Sequence, residues 1–120
     1  MTTQPATSSA LLARKAAAVS TRQRIEHLAT SEWADFTGEK FDTLSHSNVA
    51  MRLKLLAAIG PVAEHRENYE LALALGHVYK ETSDVLHGRL RAMNLPLVRV
   101  QEWEVMVARG EALRASKKTS

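Results

Sequence analysis

A spacing of three and four residues runs from Val62 to Met93, mostly through apolar side chains, and it constrains the fold more than any other feature of the chain. This spacing is typical of one face of an α-helix. A helix of that length is about 48 Å long, whereas a compact domain of this size has a radius of gyration of about 13 Å. We therefore expect the helix either to break at Gly76 or to pack its protruding end against another chain. The repeating positions are Val62, His65, Tyr69, Ala72, Gly76, Tyr79, Ser83, Leu86, Leu90 and Met93.

Two helices are predicted before this segment in the first part of the chain. The first begins at Ser8 or Ser9, both good N-caps, and ends near Ala29. Thr30 or Ser31 caps a short second helix over residues 32–36, which Gly38 stops. The apolar face of the first helix consists of Leu11, Ala18, Ile25 and Leu28, and the second helix places Trp33 and Phe36 on one side.

A third helix is predicted over residues 48–59, capped by Ser45 or Ser47 and ended by Gly60 and Pro61. Its buried stripe consists of Val49, Leu53, Leu56 and Ile59, and Arg52 is expected on the opposite, solvent-exposed side.

The last helix is predicted from Val100 to Ala115, and the alternating residues 97–100 before it are compatible with an extended start. Its core residues are Trp103, Met106, Val107 and Leu113. These patterns predict an all-α fold, a compact bundle of four to five helices with one long central helix. We expect residues 9–115 to form a single helical domain between flexible tails at 1–8 and 116–120.

Composition excludes several classes of protein. The chain has no cysteine, so disulfide frameworks and thiolate metal sites are excluded. The longest nearly apolar stretch, residues 71–78, is far too short for a membrane span, and we expect a cytoplasmic protein with no membrane contact.

No catalytic or cofactor pattern is present, and we predict neither an enzyme nor a bound cofactor. The chain lacks a Gly-rich phosphate loop and a nucleophile elbow. His77, Glu81, Asp84 and His87 share a helix face, but the two histidines are about 15 Å apart along the axis, so we interpret them as solvated polar residues rather than metal ligands.

The isoelectric point and the basic blocks of the chain favour a small regulatory or accessory nucleic-acid-binding protein that acts as an oligomer or as a subunit of a larger complex. The net charge is +3 and the isoelectric point is about 9.5, with basic and acidic blocks alternating along the chain. Two stretches have features of a helix-turn-helix motif, one turning at Gly76 and one running from Gly38 into the third helix. Short polar side chains and arginine at a helix start suit contacts with bases and phosphates. The candidate nucleic-acid-binding residues are Ser47, Asn48, Arg52, Arg89, Arg91 and Arg99.

A second hypothesis belongs to a different class: a protein-interaction module, such as an adaptor, inhibitor or secretion chaperone, with no nucleic-acid contact. Convergence of the basic residues on one surface distinguishes the two hypotheses. In either case the long 62–93 helix predicts self-association, at least into a dimer.

Overall fold

The computed structural model describes residues 4–88 and 95–117 and confirms an all-α bundle. Four α-helices span Gln4–Thr37 (α1), Val49–Leu53 (α2), His65–Leu86 (α3) and Leu97–Ser116 (α4). Short 3₁₀ turns cover Phe41–Thr43, Lys54–Ala58 and Val62–Glu64. No strand occurs within the described ranges.

Helix α1 is continuous where the sequence predicts two helices. It begins at Gln4 rather than at Ser8 or Ser9, and it passes through Thr30 and Ser31 without a break. Both hydroxyl residues are buried, and the Thr30 hydroxyl lies 2.8 Å from Nδ1 of His46. Their side chains are engaged in tertiary packing, so they do not act as N-caps. Gly38, at a φ of 78°, ends the helix as predicted.

The prediction for the third helix is correct for the buried residues and wrong for the type of helix. Val49, Leu53, Leu56 and Ile59 are all buried, as expected. However, the α-helical part ends at Leu53, and the chain continues as the tighter 3₁₀ turn up to Ala58. The segment stops at Gly60, whose φ of 77° is the left-handed conformation that the Gly-Pro pair predicts.

Helix α3 passes Gly76 without interruption and ends at Leu86, with Gly88 at a φ of 76° two residues later. The predicted end at Met93 is therefore wrong, and so is the turn at Gly76 that the first helix-turn-helix candidate requires. Residues 89–94 lie outside the described ranges.

The buried face of α3 also differs from the predicted set of repeating positions, with which it shares only Ala72. The central apolar stretch 71–78, which the sequence predicts to be buried nearly all round, is buried at Leu71, Ala72, Leu75 and Val78 but exposed at Leu73. The observed buried side chains are Asn68, Leu71, Ala72, Leu75, Val78, Thr82 and Val85.

Helix α4 starts directly after Pro96, so the extended start proposed for residues 97–100 is wrong. Its predicted core residues are confirmed: Trp103 and Val107 are fully buried, and Met106 and Leu113 pack against the core from its margin.

The long helices form an up-down-up arrangement. Arg24 of α1 pairs with Glu104 of α4, and Glu32 pairs with Arg114 further along both helices, so α1 and α4 run parallel. Between α1 and α3 the order is reversed. Glu26 accepts a hydrogen bond from Tyr79, whereas Leu28, two residues later in α1, lies with Leu75, four residues earlier in α3, against Gly110. Helix α3 is therefore antiparallel to α1. The molecule measures 55 × 32 × 23 Å because α1 runs along its whole length.

Candidate binding groove

The predicted nucleic-acid contacts at the start of α2 take a different local structure. Asn48, and not a serine, occupies the N-cap position, at a φ of 51° that asparagine tolerates better than most residues. No side chain caps the helix, and the Ser47 hydroxyl lies 2.9 Å from the Ser45 hydroxyl on the surface. With only five α-helical residues, α2 is shorter than the recognition helix that the second helix-turn-helix candidate needs.

Arg52 is buried, with 5% of its surface exposed, so its predicted position on the solvent face is wrong. Its Nη1 donates a hydrogen bond of 2.7 Å to the carbonyl of Ser45, and its guanidinium carbon lies 5.3 Å from the centre of the Trp33 ring. Its Nε is buried without a hydrogen-bond partner. Arg52 follows Val49 by three residues and precedes Leu56 by four, so it borders the buried stripe rather than opposing it.

Replacing Arg52 with alanine is expected to lower the free energy of unfolding by about 2 kcal/mol, since a hydrogen bond from a charged donor is worth roughly 1.5–3 kcal/mol and the ring contact about 1 kcal/mol. Relief of the unpartnered Nε offsets part of this loss. Arg52→Met keeps most of the volume without the charge, and we expect it to cost less than the alanine variant. Chemical denaturation of both variants measures the difference. A loss within the roughly 0.5 kcal/mol of an exposed position would contradict the buried geometry.

Arg99, the other described arginine in the predicted set, packs between acidic side chains. It pairs with Glu81 of α3, and its Nε lies 3.4 Å from Glu102. Glu81 also accepts a hydrogen bond of 3.1 Å from Nε1 of the buried Trp103. Arg89 and Arg91 lie outside the described residues, so their assignment stays a prediction.

Ion pairs between helices engage four of the described basic side chains, Arg24, Arg99, Arg114 and Lys117. Arg24 of α1 donates bidentate hydrogen bonds of 2.5 and 3.0 Å to Glu111 of α4, and a further hydrogen bond of 2.7 Å to Glu104 of the same helix. The bonds to Glu111 and then to Glu104 raise the pKa of Arg24 above its ordinary value. Arg22 pairs with Glu26 within α1, beside Tyr79. These guanidinium groups stabilise the bundle and are not free to form a basic surface.

A groove of about 730 Å³ opens at the end of the bundle where α1 and α4 finish and the chain enters α3. Its apolar walls come from three parts of the chain, and Phe36 on its rim is 68% exposed. A volume of this size lies in the range of ordinary ligand sites. The apolar lining residues are Phe36, Leu55, Ala58, Ile59, Pro61 and Leu113.

Glu32, Asp35 and Lys117 form the polar wall of the groove, and Arg114 joins them in an ionic cluster. Buried Glu32 pairs with Arg114 and with Lys117, whose Nζ lies 3.2 Å from Oε1. Asp35 accepts from the same two cations at 2.8 and 3.2 Å, and the Arg114 hydrogen bond lowers the pKa of Asp35 below its usual 3.8. The exposed Glu64 adds a third carboxylate to the lining. Counted over the described residues, these three carboxylates against Arg114 and Lys117 give the groove one net negative charge.

Sequence reasoning missed this groove because its walls come from segments far apart in the chain. Two signals were available. Leu55 and Ala58 are apolar but lie off the predicted buried stripe, and Phe36 follows the acidic residues Glu32 and Asp35 on one helix.

The histidine cluster considered as a metal site does not assemble. Within residues 4–88 and 95–117, no group of three or more His, Cys, Asp or Glu side chains is arranged to hold an ion. Glu81 is engaged by Arg99 and Trp103, and Nδ1 of His87 lies 2.8 Å from the Ser83 carbonyl.

Comparison with known proteins finds no matching family profile, no curated protein of similar sequence and no solved structure of similar fold. None of the helices in the two described segments combines the length and the hydropathy needed to cross a membrane.

Proposed function

We propose that the protein is a protein-interaction module that holds a helical segment of a partner protein in the groove at the end of the bundle. The observation that carries this proposal is the groove itself: an apolar cleft with an exposed aromatic side chain at its rim and an ionic cluster along one wall. Amphipathic helices bind in clefts of this kind through apolar side chains on one face.

The charges of the groove favour a partner segment with basic residues. The groove has one net negative charge, and Glu64 is exposed at its edge. A lysine or arginine beside the apolar anchors of the partner lies close to this carboxylate, whereas an acidic residue meets like charge.

The nucleic-acid hypothesis has lost part of its support and stays a prediction. Arg52 is buried, and Arg99 is paired with Glu81 and Glu102. A basic surface large enough for nucleic acid requires several free cations that converge in one place. The paired arginines in the described part of the chain favour the protein-interaction alternative.

Two helical peptides with the same leucine face, one carrying lysine and the other glutamate on its polar face, test the proposal. We expect the lysine peptide to bind and the glutamate peptide to bind at least about tenfold more weakly, a difference of about 1.4 kcal/mol. Phe36→Ala is expected to lower the affinity for the lysine peptide by a similar factor, because aromatic anchors contribute much of the binding energy of such interfaces. Fluorescence anisotropy of labelled peptides measures the affinities.

Val105→Ala is the matched control. Val105 is also an exposed apolar side chain, 55% against 68% for Phe36, but it lies on α4 and does not line the groove. Equal effects of the two alanine variants, or no binding of either peptide, would refute the proposed role of the groove.

A further inference from the structure

The first half of α1 exposes a basic, apolar face. Leu12 is 70% exposed and Val19 is 41% exposed, and their spacing of seven residues places them on one side of the helix, with the exposed Ala16 between them. The exposed Lys15 borders this side of the helix, whereas the half-buried Arg14 lies on the opposite side. No acidic residue occurs among residues 4–25, so the charge that this side carries is positive.

This face and the groove lie at opposite ends of the molecule. Helix α1 is continuous over 34 residues, and the distance along its axis from Leu12 to Phe36 is about 36 Å. A continuous helix cannot bend its first half back to its own end, so the basic face of one chain can reach a groove only in another chain.

The two surfaces are complementary in charge and in chemistry. The groove is apolar with one net negative charge, and the first half of α1 is apolar with positive charge. We infer that the exposed face of α1, centred on Leu12, occupies the groove of a second copy of this chain. This inference rests on the proposed function, because it names the partner segment that the groove holds.

Pairing of this kind can be arranged in two ways. If each copy offers its basic face to one neighbour and its groove to another, the contact generates open chains or closed rings; if two copies exchange faces reciprocally, it closes as a two-fold dimer with two identical face-to-groove contacts. A symmetric dimer through either surface opposes like charges, acidic against acidic or basic against basic, and is disfavoured. The original reason for expecting association, a helix reaching Met93, does not apply, since α3 ends at Leu86.

A complementation experiment with two single variants tests the inference. Leu12→Asp disables the basic face and leaves the groove intact, whereas Phe36→Asp disables the groove and leaves the basic face intact. In sedimentation velocity at micromolar concentration, we expect the unmodified protein to show a concentration-dependent dimer or larger species. Each variant alone is expected to sediment as a monomer of 13.3 kDa.

The equimolar mixture gives the decisive result. One intact face and one intact groove remain between the two variants, so we expect a heterodimer that grows no further. Val105→Asp is the control, because Val105 is 55% exposed on α4 but belongs to neither surface, and it is expected to assemble like the unmodified protein. Circular dichroism establishes that all three variants keep their helical content.

Three outcomes would overturn the inference: an unmodified protein that is monomeric throughout, a two-fold dimer that neither variant disturbs, or a mixture that stays monomeric. If the chain is monomeric but its groove still binds the lysine peptide, the inference fails and the proposed function stands. If the peptide also fails to bind, both are wrong.

Discussion

Trp103→Ala is expected to lower the free energy of unfolding by about 3–5 kcal/mol, the usual cost of removing a large aromatic side chain from a core. Trp103 is fully buried, and its Nε1 donates to Glu81, so the substitution leaves a cavity and removes a hydrogen bond at once. A protein of this length has a total stability of about 6–18 kcal/mol. The loss is therefore a substantial part of it, and a urea titration followed by circular dichroism measures it.

Trp103→Phe separates the two contributions. It keeps most of the apolar volume and removes the donor, while Glu81 keeps its pairing with Arg99. We expect a loss of roughly 1–3 kcal/mol, from one hydrogen bond to a half-buried carboxylate and from the smaller ring. The control is Val105→Ala on the exposed side of the same helix. A Trp103→Ala protein as stable as this control would contradict the packing described for α4.

Gly110→Leu is expected to destabilise the protein by about 3 kcal/mol, at the upper end of the usual range for an overfilled core. A Cβ atom at Gly110 would lie 2.8 Å from Cδ1 of Leu75 and 2.9 Å from Cδ2 of Leu28, far inside normal contact distance. Both leucines are buried, so their methyl groups cannot move aside without disturbing the contact between α1, α3 and α4. Thermal unfolding compared with the unmodified protein measures the effect.

Two further variants, Gly110→Ala and Ala108→Leu, serve as controls for Gly110→Leu. The alanine variant adds one methyl group to the same contact but gains helix propensity of roughly 1 kcal/mol, so its net cost is expected to be small. Ala108 is exposed on the same helix, and a leucine there is expected to be nearly neutral. If Gly110→Leu were as stable as Ala108→Leu, the three helices would not meet closely at Gly110.

The sequence predicts the helical fold well because, in α1, in α2 with its 3₁₀ turn and in α4, apolar residues that recur at helical spacing are the ones that become buried. Ile25, Leu53 and Val107, for example, all lie on predicted stripes and are all buried. Gly38 and Gly60 mark real ends for the same reason, since both adopt the left-handed conformation that favours glycine.

The face of α3 is predicted incorrectly because two polar side chains lie in the core. Asn68 donates to the Ile59 carbonyl at 2.8 Å, and Thr82 donates to the Tyr79 carbonyl at 2.7 Å. A pattern that seeks apolar side chains avoids these positions and selects the aromatic Tyr69 instead, which is 41% exposed. Backbone carbonyls that satisfy buried polar groups cannot be read from a one-dimensional pattern.

The candidate site was harder to predict than the fold, because ion pairing between helices determines which charges remain available. Glu32 and Arg114 are 82 residues apart, and Arg24 and Glu111 are 87 apart. Charge summed over sequence blocks treats these side chains as surface residues of opposite sign. In the folded chain they neutralise one another, and the exposed groove beside them becomes the more informative feature.

The same pairs have a consequence for the folding of α1 during synthesis. The residues of α4 that pair with α1 lie 80 to 87 positions after their partners, so α4 emerges from the ribosome after α1, α2 and α3. Contacts between distant parts of a chain form slowly because loop closure must precede them. Helices α2 and α3 can cover part of the buried face of α1 before α4 is made, but the part that packs on α4 stays exposed until then, and a chaperone that binds the nascent chain meets this apolar surface.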